Sequence, residues 1–135
     1  MLTKIKPEVL DKECLAIIKE NWAKLNELFL GLSADGESLT ISPFDFESFC
    51  RKNNITDQAF PISTVTIYFK QANVEYIDQA NNDDRELCRF EFFELLIRIA
   101  IGKYVSSKRE KTIVAGFKRL LSKLILPAYE KTPHW

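Results

Sequence analysis

Apolar residues in the first third of the chain recur at alternating spacings of three and four: Leu15, Ile18, Trp22, Leu25, Phe29 and Leu32. Such a row lies along one side of an α-helix, and Pro7 suits a first helical turn, so the pattern predicts a helix over 7–31. Gly31 and the cluster Ser33-Ala34-Asp35-Gly36 end it. After the short patch Leu39-Thr40-Ile41, Ser42 and Pro43 supply an N-cap and a first-turn residue, with Asp45 near the positive end of the helix dipole. This second helix is expected over 43–53, with Phe46, Phe49 and Cys50 on one side and Asn53-Asn54 as terminators.

Residues 62–74 read two ways. Val65, Ile67 and Phe69 alternate as in a strand, whereas Val65, Tyr68, Phe69 and Ala72 fit a helix. A polar loop is expected over 75–86. From Phe90 to Val105 the chain is apolar nearly all round, which predicts a central buried helix with Glu94 and Arg98 paired on its exposed strip. Ser107 and Glu110 have capping-box spacing for a last helix over 108–126, which Pro127 follows. Its apolar positions are Ile113, Val114, Phe117, Leu120, Leu121, Leu124 and Ile125.

Composition narrows this to an all-α single domain over 1–135. Hydrophobic residues make up 46% of 135, including ten Phe, which suffices for one core and excludes a disordered chain. Only four Gly and five Pro argue against a sandwich of many tight turns. Cys14, Cys50 and Cys88 are odd in number and widely spaced, and the one His is His134, so neither a disulfide framework nor a Cys/His zinc site can be assembled. The opening MLTKIKPEVLDKEC lacks the apolar run of a signal peptide, and the most hydrophobic stretch is broken by Glu94, Arg98 and Lys103. A cytoplasmic protein with no membrane partner and no cofactor is the expectation.

One register lays two parts of the chain over each other. Ile41-Ser-Pro-Phe44-Asp45-Phe46-Glu-Ser-Phe49-Cys50 matches Leu87-Cys-Arg-Phe90-Glu91-Phe92-Phe-Glu-Leu95-Leu96. Each copy reads apolar, two spacers, Phe, acidic, Phe, two spacers, apolar, apolar. The pair resembles the second halves of two EF-hands, in which an apolar loop residue pairs with its twin in a two-stranded ribbon and an aromatic starts the exiting helix. The resemblance implies a first half over 7–54, a second over 60–106 and an additional C-terminal helix over 107–127. It also makes 62–74 the entering helix of the second half. The stretch Arg89 to Ala100 with Lys103-Tyr104 is similar to degenerate EF-hand-like modules of ciliary and flagellar proteins of protists, which implies an axonemal, microtubule-associated setting.

The loops depart from the calcium-binding pattern. A hard divalent cation needs six or more oxygens, drawn from side chains at loop positions 1, 3, 5 and 12 and a backbone carbonyl at 7. In the first loop those side-chain positions hold Ala34, Gly36, Ser38 and Asp45, with Leu39 where the sharp turn needs Gly. The second holds Ala80, Asn82, Asp84 and Glu91, with Arg85 at the Gly position. Asn82, Asp84 and Glu91 are the metal candidates if calcium binds at all. A calcium sensor acting through this second loop is the alternative to a calcium-independent module.

No nucleophile with a base, phosphate loop or metal cage is visible, so no catalytic residue is assigned and the chain is read as a non-enzyme. The expected function is a scaffold module that binds a protein. Two surfaces qualify. An open EF-hand lobe would line an apolar groove with Phe46, Phe49, Phe92, Leu95, Leu96 and Ile99 for an amphipathic helix, unless the C-terminal helix fills it. Charge supplies the other: thirteen acidic and five basic residues lie between Glu27 and Glu94, but eight basic residues and only Glu110 lie between Arg98 and Lys123. Lys108, Lys111, Arg119 and Lys123 would then face an acidic protein such as tubulin. Nucleic acid is not expected on this face, because the chain is neutral overall and no aromatics are interleaved with the basic residues.

Overall fold

The structure is a computed structural model that describes residues 12–33, 40–73 and 86–131. The expected first helix is divided at Asn21 into α1 (Lys12–Glu20) and α2 (Trp22–Leu32). Asn21 leaves helical geometry at φ −110° and ψ 18°, and its side-chain amide donates to the Ile17 carbonyl at 2.9 Å. Asn is suited to such a break, since its side chain competes for backbone partners. Residues 7–11 lie outside the described residues. The helix α3 (Pro43–Lys52) starts as expected: the Ser42 hydroxyl accepts from the Asp45 N–H at 3.1 Å, and Pro43 sits where no donor is needed. It stops at Asn53, after which Asn54 turns left-handed at φ 58° and the Ile55 N–H returns to the Cys50 carbonyl at 3.0 Å.

Residues Ile62–Asn73 form helix α4, not a strand. Exposure shows why the alternation was misleading: Val65, Phe69 and Ala72 are buried, while Ile67, which a strand would turn inward with Val65 and Phe69, is 53% exposed. The Thr66 hydroxyl lies 2.8 Å from the Glu47 carboxylate and ties α4 to α3.

Helix α5 (Arg89–Ala100) continues through a π turn at Ile101–Val105, where the Ser106 N–H reaches back five residues to Ile101. Glu94 and Arg98 do pair, Nε to Oε2 at 3.1 Å, but not on an exposed strip: their side chains are 3% and 9% exposed. Helices α2, α4 and α6 (Ile113–Leu120) all pack against α5, and its residues from Glu91 to Ala100 are buried throughout. Arg98 spends a second N–H on Gln71 of α4 at 3.1 Å.

The start of the last helix also differs from expectation. Ser107 caps nothing ahead of it; its hydroxyl donates back to the Lys103 carbonyl at 2.8 Å. Lys108 is left-handed at φ 66°, and the N–H groups of Arg109 and Glu110 both return to the Tyr104 carbonyl at 2.9 Å. Thr112 is the true N-cap, its hydroxyl accepting from the Ala115 N–H at 3.0 Å. After α6 comes a π turn at Leu121–Ile125 and then α7 (Leu126–Lys131), so Pro127 lies within the helix rather than after it. Proline has no N–H and crowds the carbonyl four residues earlier. The wider turn before it, with Leu126 bonded to Leu121, removes that conflict.

Ile41 and Leu87 form an antiparallel bridge, each N–H to the other's carbonyl at 2.9 Å, and both side chains are fully buried. Among the described residues this one pair is all there is of the expected ribbon. Beneath it three aromatics meet: Phe46 and Phe92 edge to face at 6.3 Å, with Phe29 5.7 Å from Phe92. Twin positions in the repeat share their environments. Phe46 and Phe92 are in the core, while Phe44 and Phe90 point outward.

Phe46→Ala and Phe92→Ala should each lower stability by ~3–5 kcal/mol, because a fully buried ring leaves a cavity that helices from both halves can only partly close. Urea unfolding followed by circular dichroism measures this. Midpoints at the wild-type value for both variants would separate the repeat from the core.

Candidate functional site

The six residues expected to line an open groove do not line one. Phe46, Phe92, Leu95, Leu96 and Ile99 are fully buried, and Phe49 is nearly so. The C-terminal helix turns Phe117, Leu120, Leu121 and Ile125 into the same core, with α6 packed on α5. Gly116 permits the close approach: a Cβ there would lie 3.0 Å from Val105 and 3.4 Å from the Ala100 carbonyl.

The basic face is also smaller than the sequence suggested. Lys108, Lys111 and Lys123 are exposed, but Arg119 is bonded to Glu110 at 3.0 Å and stacked over Tyr104 at 4.8 Å. Of the metal candidates, Asn82 and Asp84 lie outside the described residues. Glu91 is buried and uses one carboxylate oxygen to accept from the Cys88 N–H at 2.9 Å, at the start of α5. Among the described residues no group of three or more His, Cys, Asp or Glu could hold a metal ion. Burial pushes the Cys50 and Cys88 thiols up, most strongly Cys50, where the Glu47 carboxylate adds to the effect. A thiol held protonated is a poor nucleophile.

An exposed apolar cleft lies elsewhere. Leu15, Ile18, Lys19 and Trp22 of α1 and α2 form one wall, and Arg89, Phe90, Phe93 and Glu94 of α5 form the other, enclosing about 570 Å³. Its floor is fixed by the Trp22 ring set edge-on against Phe93 at 5.5 Å and 65°. Leu15, Trp22 and Phe90 remain 44–48% exposed. The Arg89 guanidinium lies over the Phe29 ring at 5.4 Å, yet its Nε is buried with no acceptor. Neither Lys19 nor Arg89 has a carboxylate partner among the described residues.

The pattern reading placed Leu15 and Trp22 in the core row. The buried row is instead Cys14, Ile17, Ile18, Leu25, Leu28 and Phe29. Both rows have helical spacing and share Ile18, Leu25 and Phe29, so together they span more of the helix than one neighbour can cover. That excess width was the legible sign of a second apolar surface.

A polar cluster closes the far end of α5. The Lys103 ammonium, almost fully buried, donates to the Ile55 carbonyl at 2.9 Å and to the Asp57 carboxylate at 3.0 Å, over the Phe60 ring at 5.4 Å. The hollow beside it is only about 40 Å³, too small for a substrate. It clamps the turn between α3 and α4 onto the π turn after α5. No family model, curated protein or solved structure matches the chain.

The hydrogen bond from Lys103 holds the Asp57 carboxyl below its ordinary range, with burial opposing. A depressed carboxylate adds stability above the unfolded value of about 3.9, and that stability is lost as pH falls through the lower folded value. Asp57 is half exposed, so Asp57→Asn should cost only about 1 kcal/mol at pH 7. The penalty should shrink toward zero near pH 2. Urea midpoints at the two pH values test this, and a pH-independent difference would refute the clamp.

Proposed function

We propose that the chain is a non-catalytic, calcium-independent protein-interaction module organised as a degenerate EF-hand pair, with its own C-terminal helix laid in the groove that a target helix would otherwise use. The observation that carries this reading is the Ile41–Leu87 bridge. It joins the two residues that the internal repeat equates, and the helices that leave it start on the equivalent caps Ser42 and Cys88. Calcium independence is supported by the loop chemistry: Ala80 removes the first ligand and Arg85 brings a positive charge to the turn. A bound ion at 100 times its dissociation constant would add ~2.7 kcal/mol. Millimolar calcium should therefore leave the melting temperature unchanged and release no heat in titration calorimetry. A rise of several degrees that EDTA reverses would establish the calcium-sensor alternative instead.

A second reading concerns an acidic protein wall such as tubulin, and the exposure of Lys108, Lys111 and Lys123 favours it. Lys108 and Lys111 lie in the turn between Val105 and Ile113, and Lys123 in the π turn after α6. Binding of this kind weakens with salt. Cosedimentation with microtubules at low ionic strength should fall sharply for the Lys108→Glu, Lys111→Glu, Lys123→Glu triple variant. Equal pelleting of variant and wild type would leave the axonemal setting without a surface.

A further inference from the structure

With the lobe groove filled from within, the cleft between α1–α2 and the start of α5 is covered by no other element among the described residues, and its shape and charge specify an occupant. Leu15, Ile18 and Trp22 follow one another at three and four residues, a row about 10 Å long at 1.5 Å per residue. Phe90 and Phe93 face them across the cleft. A trough of that length between two helical walls accepts the anchors that an amphipathic helix presents over two turns. A small ligand would require enclosure of most of its surface. This cleft leaves three of its apolar residues nearly half exposed.

Charge decides the polarity of the occupant. Lys19 stands on one wall and Arg89 on the other, each without a carboxylate among the described residues. The carboxylate in the lining, Glu94, is already bonded to Arg98. A cationic helix would meet uncompensated like charge on both sides, whereas Asp or Glu beside the anchors would supply what the rim lacks. We propose that this cleft is the docking groove for an amphipathic helix of another protein, with an apolar stripe flanked by acidic residues. The proposal rests on the reading of the chain as an interaction module, but not on its loops, so calcium titration and the following experiment fail independently.

The chain has two Trp, Trp22 and Trp135, and Trp135→Phe leaves Trp22 as the sole reporter in the cleft wall. The probe is a synthetic helical peptide with Leu at i, i+3, i+4 and i+7 flanked by Glu; its control carries Lys at every Glu position. Acrylamide should quench Trp22 in the free protein, and the Glu peptide should protect it. The Glu peptide should bind at least about tenfold more tightly than the Lys peptide, since like-charge contacts are strongly unfavourable. Lys19→Glu with Arg89→Glu should invert that order, and Leu15→Asp should abolish binding of both peptides while melting as the wild type does. Several outcomes overturn the proposal. Equal affinity for the two peptides, or an order that survives charge reversal, removes the acidic partner. A Trp22 already shielded in the free protein means that the chain covers its own cleft. A dimer in sedimentation that Leu15→Asp converts to monomer means that a second copy is the occupant.

Discussion

Every residue of α5 from Glu91 to Ala100 is buried, so its neighbours must cover the whole circumference and each polar group on it must find a partner inside the protein. Helices α2, α4 and α6 supply the cover. Glu94, Arg98 and Gln71 form the internal polar chain, linking α5 to α4. Burying an ion pair costs several kcal/mol per ion, and the mutual attraction offsets this only with good geometry and further hydrogen bonds. Nη2 of Arg98 has no partner, so the offset is incomplete there. The pair is better understood as fixing the register of α5 against α4 than as adding net stability, because a shifted helix would strand both charges.

The two copies of the repeat share a local plan and differ in what surrounds them. Ser42 and Cys88 start their helices, Phe46 and Phe92 enter the core, and Phe44 and Phe90 face outward. The equivalence stops at the next layer. Phe90 meets α1 and α2 and becomes a cleft wall, whereas Phe44, 75% exposed, is not held in the same way. The C-terminal segment is a single addition laid across both halves, α6 against α5, the turn after it and α1, and α7 against α2. Two copies of one local plan thus have different surroundings, and the exposed apolar cleft is found beside only one of them.

Helix positions were legible wherever spacing alone settles them. Helix α3 starts and stops within one residue of the pattern's expectation, α5 together with its π turn does the same, and the register of the repeat located the Ile41–Leu87 pair across 46 positions; α4 needed the resemblance to choose between its two readings. What failed depended on neighbours that a linear pattern does not contain. Glu94 and Arg98 have the spacing of a surface pair and differ from one only because three helices surround them. Ser107 and Thr112 both carry capping hydroxyls; Thr112 precedes the apolar run at Ile113, and Ser107 precedes four charged residues. The cleft was hidden because Leu15 and Trp22 fit the core row as well as Ile17 and Leu28 do. Only the finite width of the facing helix excludes them.

The two π turns affect how the chain tolerates changes of length. A π turn holds one residue more than the α turn it replaces, as at Ile101–Val105 and Leu121–Ile125. Losing one residue within Ile101–Val105 would let that turn relax to α geometry, with the helical faces before and after it still in phase, whereas at Leu121–Ile125 an α turn would set Pro127 back against the carbonyl four residues earlier. The same loss inside α5 would rotate everything downstream by about 100° and carry the Glu94–Arg98 pair apart from its surroundings. Single-codon deletions in this chain are therefore sorted by helix type: absorbed at the first wide turn, opposed by Pro127 at the second, and ruinous in the regular helix that leads from the bridge to the first.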